Sequence, residues 1–342
     1  MHISLIGEQV RNRIRQKLTR SEIFSLGLVF GMVAIFIYLS PDISYSYFDY
    51  NNYINAAHGD FSFYYYGYWF LPIFKLLALM PINLGYAIWC AVNILGVFLA
   101  VRVFGGKAPM ALLSFQMLYS LIIGQISGLI VGGLALCWWG LVNKKWYLAG
   151  IGIALASTKY QMGLVGSLIL LFSAGITLKD WLRTLLVPCL VWAASLVVYP
   201  GWPLEVYQLL LNNPPNDQGS LSLWRWVGPW ALLLWLPPLV VRLSPQRRLL
   251  ALVAASSLAV PYFQSNDLLW LLAMPIGWVG LLGNLGYLLG AFGWIVLQVL
   301  AILPLLVYVA ALVPKIGKWI GLPAGDELNP PSLPHPQAES HQ

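Results

Sequence analysis

The stretch WFLPIFKLLALM, residues 69–80, decides how the chain threads through its surroundings. Its apolar side chains invite a membrane crossing. Yet it is only 12 residues long, with Pro72 near its start and Lys75 in its middle. A helix rises about 1.5 Å per residue, so this one reaches about 18 Å against a hydrocarbon core of about 30 Å. The stretch therefore reads as an interfacial helix that lies along the membrane.

That reading sorts the charges. With no crossing at 69–80, Arg102, Lys107, Lys144, Lys145, Lys179, Arg183, Arg242, Arg247 and Arg248 fall on the same side as the basic arm Arg11, Arg13, Arg15, Lys17 and Arg20. The opposite side keeps Lys75, Lys159 and Arg225. Basic residues gather on the cytoplasmic side, so a crossing at 69–80 would put most of them outside. The same threading places five polar segments together on the outer face: 41–68, Gly124-Gln125, Lys159-Tyr160-Gln161, 200–226 and 264–267.

Composition agrees with a membrane solvent. The chain has 342 residues, 59% hydrophobic and 9% charged, against about 25% charged in soluble domains. Mean hydropathy is +0.74 over the whole length. Apolar segments recur at about 23–40, 83–103, 108–123, 126–143, 146–158, 161–178, 181–199, 227–241, 249–262, 267–284 and 286–313. The expected fold is all-α, a polytopic integral membrane protein with about 11–12 transmembrane helices and interfacial helices in the first outer loop. The net charge of +7 is scattered between apolar runs and forms no continuous basic face, which excludes nucleic acid as a partner. Cys90, Cys137 and Cys189 each lie inside an apolar run and read as small buried residues. No metal-ligating cluster and no nucleotide-binding fingerprint is readable.

The outer segments hold the residues that could carry chemistry. Asp49 sits between Phe48 and Tyr50; it either caps a helix or, partly desolvated, acts as a general base. Asp60 caps the interfacial helix or meets a sugar, and His58 could contact a phosphate. Tyr64 and its neighbours suit either an interfacial belt or sugar stacking. Gln125 joins two spans at a depth where its amide needs a partner. Lys159 ends a 13-residue apolar segment. At about 20 Å that segment is too short to cross, so the ammonium either lies below the outer surface in a protein-lined cavity, where it could hold a lipid phosphate, or snorkels to the surface. Asp267, beside Asn266, opens an apolar run and could be a cap. Arg225 is either a phosphate partner or an interfacial anchor.

In combination these segments resemble a family. YFDYNNYINAA, IIGQISGLIVGGLAL, LAGIGIALASTKYQMGL and VPYFQSNDLLWLLAMP, in this order, are similar to the motifs of the GT-C class of membrane glycosyltransferases, in particular glycosyltransferase family 87, over roughly 22–285. The sequence departs from the family pattern at Ser127, Tyr160 and Asn266. The resemblance implies a sugar, mannose favoured, carried on polyprenyl phosphate. It implies inverting transfer to a glycolipid or glycan acceptor outside the cell membrane. Asp49 would be the base. Lys159, with Arg225 and His58, would face the donor phosphate. Asp60, Tyr64, Gln125, Tyr160, Asn266 and Asp267 would bind sugar or acceptor. No cofactor is firmly expected, and a divalent metal stays open because members of the wider class differ in using one.

The expected organisation is a basic cytoplasmic arm (1–22), a catalytic transmembrane module (23–200) with its outer loop at 41–82, a second transmembrane module (201–314) and a disordered tail (315–342). A transporter or flippase of lipid-linked sugars is the alternative function. It would favour inverted repeats and midplane broken helices, and no clear internal repeat is readable.

Overall fold

The computed structural model describes residues 2–39, 47–212, 219–293 and 296–322. It is 80% helical, with no strand among the described residues. The chain runs through α1 (His2–Arg15), α2 (Arg20–Leu39), α3 (Phe48–Ala57), α4 (Leu71–Ala78), α5 (Ile82–Phe104), α6 (Ala108–Leu112), α7 (Phe115–Ile123) and α8 (Ser127–Val142). It continues through α9 (Trp146–Ala156), α10 (Tyr160–Ala174), α11 (Leu178–Val198) and α12 (Trp202–Asn212). Short pieces follow, α13 (Trp224–Val227) and α14 (Leu236–Val240), then α15 (Pro245–Ala259), α16 (Leu269–Leu272), α17 (Gly286–Leu289), α18 (Ile302–Leu312) and α19 (Pro314–Trp319).

Among the described residues three helices, α2, α5 and α11, are long and apolar enough to cross a membrane alone. At 20–23 residues each spans about 30 Å. The outward faces of α2 and α11 are apolar: Phe24 is 64% exposed, Leu190 60% and Val197 83%. Such surfaces are stable against lipid, not water. Cys189 lies on this lipid-facing helix and is exposed, unlike buried Cys90 and Cys137. An apolar run in a membrane chain does not imply burial in protein.

The remaining apolar segments fold in shorter pieces than their composition predicts. Segment 108–123 breaks at Ser114, whose hydroxyl accepts the Met117 amide and caps α7. The chain then turns by 118° between α7 and α8. Segment 267–284 becomes a 3-10 turn at Ser265–Leu268, then α16, then a second 3-10 stretch at Gly277–Leu285. Pro275 and Gly277, with φ +69, part the last two. The final segment is also divided, into α17, 3-10 turns and α18. Residues 69–80 form a 3-10 turn and the 8-residue α4, too short to cross. Helix α19 carries the ordered chain past residue 315 to the buried Ile320 and Leu322; residues 323–342 lie outside the described residues.

The interior is built on close helix contacts. A side chain on Gly132 of α8 would reach the Gly96 Cα of α5 at 2.7 Å, and one on Gly140 would reach the Ala149 Cα of α9 at 2.8 Å. In a membrane, where lipid competes with apolar side chains, such small-residue seams hold helices together by dense packing. Helix α15 is buried from Leu249 to Ala259 and packs against α10 and α18. One core draws residues from both halves of the chain, Val10 through Leu322.

Candidate active site

Three interruptions of helix carry the polar groups of the site, and the first of them lies against the first-loop helix α3. Each exists because the local sequence cannot continue a helix. Gly124, at φ +76, ends α7 by donating its amide to the Leu121 carbonyl. It lacks a side chain where α3 passes: a Cβ there would meet the Tyr50 Cβ at 2.6 Å. Its carbonyl accepts Trp89 Nε1–H at 2.9 Å, and the Tyr47 amide reaches Ile122 O at 3.2 Å. Tyr47, the N-cap of α3, holds φ 70, a conformation rare for a residue with a side chain. The bend thus clamps α3 against Gln125.

Asp49 lies in the first turn of α3, half-buried, and its Oδ2 accepts Gln125 Nε2 at 2.6 Å. It does not cap the helix; Tyr47 occupies that position. Desolvation pushes the Asp49 carboxyl up to about 6, partly opposed by the charge of Lys159 and the Gln125 hydrogen bond.

The second interruption is Ser157–Lys159, between α9 and α10. Outer-loop groups pin it: Trp69 Nε1 donates to Ala154 O at 3.2 Å, and the Gly67 amide to Thr158 O at 3.3 Å. Helix α9 has only 11 residues, and Lys159 is 3% exposed, as its segment length predicts. Its ammonium donates to Asp267 Oδ1 at 2.5 Å and approaches Ser127 Oγ at 3.5 Å.

Asp267 supplies the third interruption. Its Oδ2 accepts the Gln264 amide at 3.1 Å while the Gln264 side chain returns a bond, a reciprocal cap. Capping and ion pairing therefore both hold for this one residue. Ser127 joins the set: its hydroxyl donates to Asp267 Oδ1 at 3.0 Å and accepts Asn266 Nδ2 at 3.1 Å. Asp267 and Asn266 are wholly buried. Gln125 Oε1, Asn266 Oδ1, Thr158 Oγ1 and Tyr160 Oη are buried and make no hydrogen bond within the protein.

The structure thus brings together Lys159, Asn266 and Asp267 through Ser127, with the Asp49–Gln125 pair in the field of Lys159. Tyr160 adjoins them in sequence and stacks at 6.5 Å on Trp202. Other expected site residues stand elsewhere. Tyr64 is wholly buried and donates its hydroxyl to Gly67 O at 3.2 Å, so it ties the loop and offers no face to a sugar. Asp60 is exposed and closes a turn onto Ser62 N and Oγ, at 3.1 and 2.6 Å, rather than capping α4. Those two bonds lower its pKa. His58 is exposed at the C-terminus of α3. Arg225 is exposed, its guanidinium 5.9 Å from the Trp226 ring. Among the described residues no three His, Cys, Asp or Glu side chains are grouped to hold a metal ion.

Two tyrosines at the site do not stand out in the sequence. Burial, then the charge of Asp49, pushes the Tyr66 hydroxyl well above its usual range, and Asp267 adds to this. Tyr262 feels burial first, then Tyr66, Asp267 and Asp49. Both hydroxyls therefore stay protonated between the two carboxylates. The alternation of Tyr262 with Gln264 in YFQSND was the available signal, since Gln264 Nε2 donates to the Tyr262 hydroxyl.

Beside the cluster, Phe61, Ser62, Tyr68, Glu205, Gln208 and Asn212 line an open groove of about 500 Å³. Tyr68 stacks on Trp202 at 5.7 Å, and Trp202 on Tyr160, so aromatic rings run from the groove to the residue after Lys159.

Fold and site together define an all-α polytopic membrane protein whose buried polar groups converge where its helices break. The model of Glycosyltransferase family 87 matches residues 64–283, nearly two thirds of the chain, and the chain belongs to that family. It is a membrane glycosyltransferase, acting on a sugar donor and an acceptor. The matched span contains Gln125, Ser127, Lys159, Arg225 and Asp267, and begins after Asp49. No curated protein and no solved structure matches the chain.

Proposed function

We propose that the protein moves a sugar, mannose favoured, from a polyprenyl-phosphate donor to a glycolipid or glycan acceptor. The transfer inverts the anomeric centre and takes place on the extracytoplasmic side of the cell membrane, with the N-terminus in the cytoplasm. The observation that carries this reading is Asp49: a carboxylate raised to about 6, aimed by Gln125 and set in the field of a buried lysine.

The acceptor hydroxyl gives its proton to Asp49 as its oxygen attacks the anomeric carbon. Polyprenyl phosphate leaves from the opposite face with the electron pair of the broken C–O bond. A base works best with a pKa near the operating pH, and at about 6 Asp49 is a stronger base than an ordinary carboxylate yet ionised at pH 7. Lys159 carries three N–H donors, of which Asp267 and Ser127 engage two. The third is assigned to the leaving phosphate, and the Lys159–Asp267 pair fixes where that charge stands. Gln125 Oε1, Asn266 Oδ1 and the Tyr160 hydroxyl suit the hydroxyls of a sugar, since a buried acceptor left unpaired costs about 1–3 kcal/mol. The groove at Glu205, Gln208 and Asn212, with its aromatic wall, suits the acceptor glycan. His58, Asp60, Tyr64 and Arg225 have no part in this mechanism.

The test is a donor panel. Purified protein in proteoliposomes is given radiolabelled polyprenyl-phosphate mannose, glucose and arabinose with a glycolipid extract, and the product anomer is determined. Transfer from a polyprenyl-phosphate sugar with inverted linkage is expected. Transfer only from a soluble sugar nucleotide, or a retained anomer, would overturn the proposal.

A further inference from the structure

A second built cavity lies at the opposite end of the helices. It has a volume of about 300 Å³ and is lined by α1, the end of α5, the start of α15 and the chain around Met274, Pro275 and Leu322. On α5, Trp89 contacts the Gly124 bend while Val103 and Phe104 line this cavity. Those 15 residues of helix separate the two places by about 22 Å.

Its walls are apolar, among them Val10, Phe104, Trp138, Leu250 and Met274, but two arginines enter it. Arg247, in the first turn of α15, is 8% exposed, and its buried Nε makes no hydrogen bond within the protein. Arg13 of α1 gives one N–H to Val103 O at 3.3 Å. Gly105, at φ +87, is what lets the guanidinium lie there, since a Cβ would collide with Arg13 Nη1. Ser173, near the end of α10, also lines the cavity with a buried hydroxyl that has no partner. No carboxylate lines it, and among the described residues neither arginine forms an ion pair. The amino end of the 15-residue α15 adds its partial positive charge.

Two guanidinium groups in a mostly apolar chamber are costly unless an anion joins them. Both arginines and Ser173 line this one chamber, and arginine forks match phosphate oxygens. A bare ion would leave the apolar walls unused. We propose that this cavity binds an anionic phospholipid, its phosphate between Arg13 and Arg247 with a hydrogen bond from Ser173, and its first methylenes along Phe104, Trp138 and Leu250. This site is separate from sugar transfer and does not depend on it.

The test is thermal stabilisation of the full-length protein in neutral detergent, titrated with dioctanoyl phosphatidic acid, dioctanoyl phosphatidylcholine or inorganic phosphate. Phosphatidic acid should stabilise saturably, at concentrations at least about tenfold below the other two, because each lost charge-assisted contact is worth about tenfold or more in affinity. Arg247→Gln and Arg13→Gln should each weaken it by about tenfold or more, and Arg247→Lys by less. Arg183→Gln, on the lipid-facing α11, should not alter it. Should the arginine variants misfold, Val10→Trp fills the cavity with both arginines in place and should abolish saturable binding. Equal stabilisation by phosphatidylcholine would overturn the anionic site, and equal potency of inorganic phosphate would overturn the lipid. Unchanged binding in Val10→Trp would overturn the cavity itself.

Discussion

Lys159 and Asp267 come from segments 108 residues apart and meet at 2.5 Å, with 3% and 0% of their surfaces exposed. Removing one partner of a buried ion pair costs about 3–5 kcal/mol, because the other charge is left unpaired. Lys159→Met leaves Asp267 with Ser127 Oγ and the Gln264 amide as donors, so about 3 kcal/mol is expected, at the low end. Asp267→Asn leaves a buried ammonium with a neutral acceptor and Ser127 Oγ at 3.5 Å, so about 4 kcal/mol is expected. The double variant Lys159→Met/Asp267→Asn buries no charge and keeps an acceptor for the Gln264 amide; about 1–2 kcal/mol is expected. In a chain of this size about 2 °C of Tm accompanies each kcal/mol. The singles should then fall by about 6 and 8 °C, and the double by only about 3 °C. Tryptophan fluorescence during heating in detergent, at one fixed scan rate, reads this. A double variant that falls by the sum of the singles would refute the pairing.

Other outcomes follow from the same geometry. Because burial raises the Asp49 carboxyl, the basic form is lost as pH falls through about 6 rather than through the ordinary carboxylate range. Transfer should thus drop about tenfold from pH 7 to pH 5. Gln125→Leu removes a donor to the charged form and should move the acid limb upward; a limb unmoved in that variant contradicts the assignment. Gly124→Ala places a methyl against Tyr50 at a positive φ, and should cost about 2–4 kcal/mol, seen as a Tm lower by about 4–8 °C. His58→Cys in a Cys189→Ser background should react with an impermeant maleimide from outside intact cells, since His58 is exposed at the end of α3; labelling only after permeabilisation would reverse the proposed threading.

The sequence makes some of this geometry legible for a definite reason. The burial of Lys159 is legible from the shortness of the 13-residue apolar segment before it, which folds as an 11-residue helix. That Gln125 has a partner is legible, because an amide between apolar runs must find one; that the partner is the Asp49 carboxylate is seen only in the fold. The helix breaks are harder to read: bends and 3-10 turns leave apolar composition unchanged, so 108–123 and 267–284 look like whole spans. Ser127 reads as a mere departure from a pattern, although its hydroxyl joins Asn266, Asp267 and Lys159. Tyr66 hides among tyrosines that composition assigns to an interfacial belt, and only the approach of the first loop to the Gly124 bend sets it apart. Tyr64, the same residue type two positions away, is also buried, but its hydroxyl goes to Gly67 O.

The central claim rests on one carboxylate. Asp49→Asn keeps the oxygen that accepts Gln125 Nε2 and removes a charge that burial disfavours, so the variant should fold as well as the wild type. Transfer from polyprenyl-phosphate mannose should nevertheless fall by a factor of about 100 or more, the contribution of a general base. A well-folded Asp49→Asn protein that transfers at the wild-type rate would contradict the account.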